Sequence, residues 1–229
     1  SEMAPYSDVD LLFLRPYKQT PWGEQALEYL LYMLWDLGLK VGYATRSVAE
    51  CIQLAKADIT IRTTILEARY LCGDREPFKK LMQKFQSDVV EGTGPAFVEA
   101  KLAERDERHL RMGDSRYVVE PNVKDGKGGL RDLHTLFWIG KYLYHVTQAA
   151  DLVDSKVFSA KQFARFSKAE NYLWAVRFNL HYMAGRAEER LTFDVQAELG
   201  RRMGYKDHTD NLAVERFMKH YFLYAKEVG

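Results

Sequence analysis

Near the start of the sequence two aspartates stand one residue apart, in Tyr6-Ser7-Asp8-Val9-Asp10-Leu11-Leu12-Phe13-Leu14. The apolar run Leu11 to Leu14 is too short for a helix. Bounded by Pro5-Tyr6-Ser7 and Arg15-Pro16, it reads as a strand buried on both faces. Side chains two apart on a strand share a face, so Asp8 and Asp10 project together, about 6–7 Å apart at Cα, and Val9 points into the core. Two unpaired carboxylates on one face repel each other and lose hydration. A divalent cation relieves both problems, and Mg²⁺ is commonly held by one or two carboxylates plus substrate phosphates. This is the chemistry of phosphoryl transfer on metal ions. The competing reading is a turn in which Asp8 belongs with Ser7. Glycosyltransferases also use Asp-x-Asp with a metal, usually after a long nucleotide-binding α/β segment.

Three other places carry reactive residue types. Glu67 opens the apolar stretch Leu66-Glu67-Ala68-Arg69-Tyr70-Leu71-Cys72, which reads as a strand. If that strand lies beside the first, Glu67 supplies a third carboxylate, able to share a metal or deprotonate an attacking hydroxyl. The alternative is a surface pair with Arg69. The loop Val119 to Leu133 holds three glycines and two lysines and leads into a helix start. Backbone amides at such a start favour anions, and Lys124, Lys127 and Arg131 are candidates for phosphate oxygens. It is not a P-loop, because no Gly-Lys-Ser/Thr follows; the alternative is an exposed loop with solvated lysines. Arg177, His181, Arg186 and Arg190 read as a solvated basic edge with one partly buried histidine. No Ser/His/Asp arrangement is placed as a triad.

The elements that position these residues follow from caps and periodicity. Thr20-Pro21 starts a helix that Gly38 ends, with Trp22, Ala26, Leu27, Leu30, Leu31, Leu34 and Trp35 as its apolar face. Leu39 to Thr45 reads as a strand. Ser47-Val48-Ala49-Glu50 is a capping box for a helix to about Ala57, and Asp58 caps a further stretch to Ile65. Asp8 to Gly73 is thus strand, helix, strand, helix, strand. Helices are expected over Phe78–Val90, Pro95–Met112, Leu130–Val146, a long one from about Phe163 to Gly185, then Asp194–Met203 and Asn211–Val228. The result is an α+β chain, with a small α/β unit joined near Asp74 to Pro77 to an all-helical domain.

The chain has 229 residues, 47% hydrophobic and 28% charged, with a net charge of +1. This is an ordinary globular composition, and the near-neutral charge argues against a dedicated nucleic-acid binder. Cys51 and Cys72 form no metal-spacing pair and read as free thiols in a reducing cytoplasm. No apolar run approaches the about 20 residues of a membrane span.

Pro5-Tyr6-Ser7-Asp8-Val9-Asp10-Leu11 resembles the metal-binding strand of polymerase-β-like nucleotidyltransferases. The string Glu120-Pro121-Asn122-Val123-Lys124-Asp125-Gly126-Lys127-Gly128-Gly129-Leu130-Arg131-Asp132-Leu133 is narrower, and is similar to the bacterial PII uridylyltransferase/uridylyl-removing family. Asp58-Ile59-Thr60 with Leu66 to Leu71, Gly185 to Asp194, and Ala213 to Met218 add to the likeness, which runs over essentially the whole chain. The resemblance implies a nucleotidyltransferase domain over 1–75, incomplete at its N-terminus, and a helical domain over 76–229. It implies transfer of UMP from UTP to a tyrosine of the PII signalling protein, with Mg²⁺ or Mn²⁺, in cytoplasmic nitrogen regulation. Asp8 and Asp10 would then be metal ligands, Glu67 the third acid, and Ser7, Lys124, Lys127 and Arg131 nucleotide contacts. Superfamily members carry a Gly-rich turn before the Asp-x-Asp strand. Ser1-Glu2 looks like its tail without its glycines, so the sequence is expected to be an N-terminal fragment that binds UTP poorly by itself. The alternative is a non-catalytic helical interaction or regulatory module of a larger signalling enzyme.

Overall fold

The computed structural model describes residues 3–15, 20–209 and 211–229. Ser1-Glu2 and Pro16, named above as the tail of a glycine turn and as a strand boundary, lie outside them. Two compact units are present. One is Ser7–Phe97; the other is Val98–Gly229 together with residues 3–6. The division lies beyond the Asp74 to Pro77 stretch where the change of composition placed the join.

The first unit contains β1 (Val9–Leu14), α1 (Pro21–Asp36), β2 (Val41–Arg46), α2 (Val48–Ala57), α3 (Ile59–Leu66) and α4 (Arg75–Phe85), which continues as a π-helical turn through Val90. β1 and β2 pair in parallel, Val9 opposite Val41 and Asp10 opposite Gly42. A parallel pair needs a crossover, and α1 provides it. Thr20 Oγ accepts from the Gly23 amide at 3.2 Å, and Gly38 leaves the helix at φ +76. Ser47 and Glu50 cap α2 reciprocally, with Glu50 accepting from the Ser47 amide at 2.6 Å. Glu50 also accepts two bonds from Arg15, at 3.0 and 3.2 Å, which ties the end of β1 to the start of α2. Leu31, Cys51, Ala55, Ile65, Leu81 and Phe85 are buried in this unit.

Two expectations fail here. The Leu11 to Leu14 run is half-buried rather than buried on both faces, because β1 pairs with β2 alone among the described residues. The strand expected over Leu66 to Cys72 is absent. Leu66 is the last residue of α3; the Glu67 amide donates to the Thr63 carbonyl at 3.1 Å and the Ala68 amide to Ile65 at 3.0 Å, closing the helix. Beyond it Leu71 is exposed, and Tyr70 turns to pack on Phe78, with Arg75 over its ring. A short apolar run does not distinguish a helix end from a strand.

α5 (Gly94–Arg111) runs from the end of the first unit into the second. The second unit then contains α6 (Leu130–Tyr144), a short α7 (Asp151–Asp154), α8 (Ala160–Ala184), α9 (Phe193–Arg202) and α10 (Ala213–Val228). α7 has no counterpart in the sequence reading; it is seated where Leu152 packs on Gly140 of α6. Ser159 and Gln162 form the capping box of α8, and Gly185 ends it at φ +63. Leu130, Leu133, Leu173, Trp174, Leu180, Leu199, Phe217 and Tyr221 form one core, which also takes in Ala4. Among the described residues no helix is long and apolar enough to cross a membrane.

Candidate functional site

Asp8 lies one residue before β1 and Asp10 is its second residue; both side chains are exposed. Neither is in an ion pair among the described residues. The Asp10 carboxylate lies beside Gly42 on the neighbouring strand, so close that a Cβ on Gly42 would stand 2.8 Å from Asp10 Oδ1. Hard, solvated oxygen donors of this kind fit a Mg²⁺ or Mn²⁺ ion that keeps part of its water shell. Glu67, half-buried, stands at the C-terminal end of α3 rather than at the start of a strand. Among the described residues no three His, Cys, Asp or Glu side chains gather to hold an ion, so the three-carboxylate group is not assembled in this structure. Ser7 precedes Asp8 and is half-buried.

The glycine-rich loop belongs to the second unit, and it is folded tightly on itself. Asn122 Oδ1 accepts from the Lys124 and Asp125 amides at 3.0 and 2.7 Å. The amides of Gly126, Gly129, Leu130, Arg131 and Asp132 all donate to carbonyls within the loop, and Gly128 donates to the Asp132 carboxylate at 2.7 Å. The helix start therefore spends its amides internally rather than presenting them to an anion. Two of the three candidate cations have partners as well: Lys127 reaches Asp114 at 2.8 Å and Arg131 reaches Asp125 at 3.3 Å. Lys124 is half-buried. The glycines answer to packing. A Cβ at Gly126 would meet the Asn122 carbonyl at 2.5 Å, and one at Gly129 the Val123 carbonyl at 2.7 Å.

Two buried charge clusters hold this loop. Asp132, on the first turn of α6, accepts from Arg108 and from His109 Nε2, at 2.9 Å for the latter, in addition to the Gly128 amide. All three side chains are buried. On the other side, Arg177 is not part of a solvated edge, as the sequence suggested. It is buried and donates to both Glu189 oxygens at 2.6–3.1 Å. His181 is fully buried. Its Nδ1 accepts from the Tyr6 amide at 3.4 Å, so the proton sits on Nε2, which faces Glu189 at 3.4 Å. Burial, aided by Arg177, holds the pKa of His181 below the usual value, against the pull of Glu189. Arg186 and Arg190 remain exposed, paired with Glu188 and Glu120. Glu189 and its neighbours pair with the loop through backbone bonds, Val123 amide to Glu189 carbonyl at 2.8 Å and Leu191 amide to Pro121 carbonyl at 2.9 Å. The two strings Glu120 to Leu133 and Gly185 to Asp194 thus form one hydrogen-bonded structure.

A family model described as GlnD PII-uridylyltransferase matches residues 96–229, the part that contains both strings. The chain belongs to the PII-uridylyltransferase family. Bifunctional uridylyltransferase/uridylyl-removing enzymes from Azospirillum brasilense and Rhodospirillum rubrum are each 64% identical to it over 228 residues, 100% of this chain and 24% of theirs. The enzyme of that name from Rhodopseudomonas palustris is 62% identical over 227 residues, 99% of this chain and 24% of its own length. The chain therefore spans about a quarter of the length of the curated relatives it matches. No solved structure matches. The likeness drawn from the residues is to this family, and the Asp-x-Asp strand lies upstream of the segment that the family model covers.

Arg108, His109, Asp132 and Glu189 were not singled out from the sequence, although Asp132 and Glu189 lie within the quoted strings. Charged residues read as surface unless a partner is known, and these partners come from separate segments, α5 and α6 for Arg108, His109 and Asp132, and α8 and the stretch after it for Arg177 and Glu189. Gly42 was likewise missed, because its relation to Asp10 depends on strand register.

Proposed function

We propose that this chain carries part of the uridylyl-transfer machinery of its enzyme, which moves UMP from UTP to a tyrosine of the PII signalling protein and releases pyrophosphate. The observation that supports this reading is the pair of exposed, unpaired carboxylates Asp8 and Asp10 at the mouth of β1, in a chain of the PII-uridylyltransferase family. Asp8 and Asp10 would hold Mg²⁺ or Mn²⁺. The bound ion would neutralise triphosphate charge and favour in-line displacement at phosphorus. The protein's own part is positional. β1 carries Asp10 and begins directly after Asp8, and pairing with β2 sets Asp10 opposite Gly42. Ser7 is proposed as a nucleotide contact beside them. The Lys124 to Arg131 loop supports this reading less, since Lys127, Arg131 and most of the loop's amides are already engaged within the second unit.

Glu67 is proposed as the third acid on the family resemblance alone. Glu67→Gln preserves size and removes charge, and loss of a general base lowers turnover by about 10²–10⁴-fold. Unchanged turnover would remove Glu67 from the site. The function itself is tested with labelled UTP and PII in the full-length enzyme, before and after chelation. Transfer should stop on chelation and return with Mg²⁺ or Mn²⁺; transfer that persists in excess chelator would contradict the metal-dependent reading.

A further inference from the structure

Asp10 and Gly42 face each other in the parallel pair of β1 and β2. Gly42 does not adopt the left-handed conformation that other glycines of the chain show, so the backbone does not require glycine there. Glycine weakens a strand interior, and within a strand it often marks a place where another group comes close. Here that group is the Asp10 carboxylate: Oδ1 occupies the space a Cβ would fill, 2.8 Å from its ideal position. Ala44 shares a face of β2 with Gly42, and Val41 and Tyr43 point the other way. The strand beside Asp10 is therefore low on one face only.

We infer that Gly42 is a positioning residue for Asp10, letting its carboxylate lie over β2 and leaving room above it for a hydrated divalent cation. This rests on the reading of Asp10 as a metal ligand. Any side chain at 42 must displace the carboxylate, because its Cβ would stand 2.8 Å from Asp10 Oδ1. The cation is then held through a geometry that Gly42 sets without touching the ion.

The test is a Mn²⁺ titration of the 229-residue chain, following free Mn²⁺ by electron paramagnetic resonance, for the wild type, Gly42→Ala, Tyr43→Ala and Asp10→Asn. Gly42→Ala should weaken Mn²⁺ binding by about 10-fold or more, the scale for residues that orient a ligand. Tyr43→Ala, on the opposite face of the same strand, should leave it unchanged, and Asp10→Asn should abolish it. Wild-type affinity in Gly42→Ala together with loss in Asp10→Asn overturns the inference and leaves the metal reading standing. Wild-type affinity in Asp10→Asn, or no Mn²⁺ binding by the wild type, overturns both. If circular dichroism shows that Gly42→Ala does not fold, the wild type labelled with ¹⁵N-glycine decides. Among its 15 glycines, the Gly42 resonance should broaden at the lowest Mn²⁺. A Gly42 resonance that stays sharp while the site fills overturns the inference.

Discussion

Gly128 packs so closely on α10 that a Cβ there would stand 2.2 Å from the Ala225 carbonyl oxygen. Its φ of +79 adds a second demand for glycine. The glycine-rich string that reads in sequence as an anion loop is, in this structure, the seam between the loop and the last helix. Gly128→Ala should lower unfolding stability by about 3 kcal/mol or more, a positive-φ penalty added to an overpacking cost of about 1–3 kcal/mol. Gly185 has a similar φ of +63 but open space around it. Gly185→Ala should cost only about 1–2 kcal/mol. Urea unfolding of the two variants checks the contrast; equal losses would count against close packing at Gly128.

Asp132 accepts bonds from three donors on two segments, with Arg108 and His109 buried around it. Asp132→Asn keeps the shape and leaves the Arg108 guanidinium buried without a counter-charge. Removing one partner of such a pair costs about 3–5 kcal/mol. Thermal unfolding should therefore shift markedly, whereas Lys127→Ala, which breaks a more exposed pair with Asp114, should cost at most about 1 kcal/mol.

His134 packs against Trp138 and Trp174. Burial first, then Arg131, Arg177 and Lys124, push its pKa from 6.5 down to about 4, with Asp125 opposing. The folded state thus prefers neutral histidine. The stability it contributes is complete above the ordinary value and is lost as the pH falls from about 6.5 towards about 4, amounting to about 3 kcal/mol. His134→Phe keeps an aromatic ring and removes the titration. Its melting temperature should fall less than the wild type's between pH 7 and pH 4; parallel curves would contradict this account of His134.

Much of the fold was legible because its signals are local. Thr20-Pro21, Ser47 with Glu50, Asp58 and Gly185 each mark a helix boundary with a residue whose capping bond or left-handed conformation the structure shows. The segment after Leu66 was misread because seven residues hold too little periodicity to separate a helix end from a strand. In the candidate site, the Asp8/Asp10 spacing is visible in any reading of the sequence. The Asp10–Gly42 contact is not, since it depends on the register between strands about 30 residues apart, and register is a tertiary property. The same holds for Asp132, whose buried partners on α5 lie 23 and 24 residues away.

The central claim is that Asp8 and Asp10 hold the ion on which UMP transfer depends. Its most direct test is the rate of labelled UMP transfer to PII by full-length Asp8→Asn and Asp10→Asn variants, with folding verified by circular dichroism. Each change replaces one carboxylate oxygen with an amide nitrogen and removes the charge the cation needs. Transfer should fall by several orders of magnitude, a loss of several kcal/mol of transition-state stabilisation, and excess Mn²⁺ should restore little of it. Near-normal transfer by either folded variant would contradict the account.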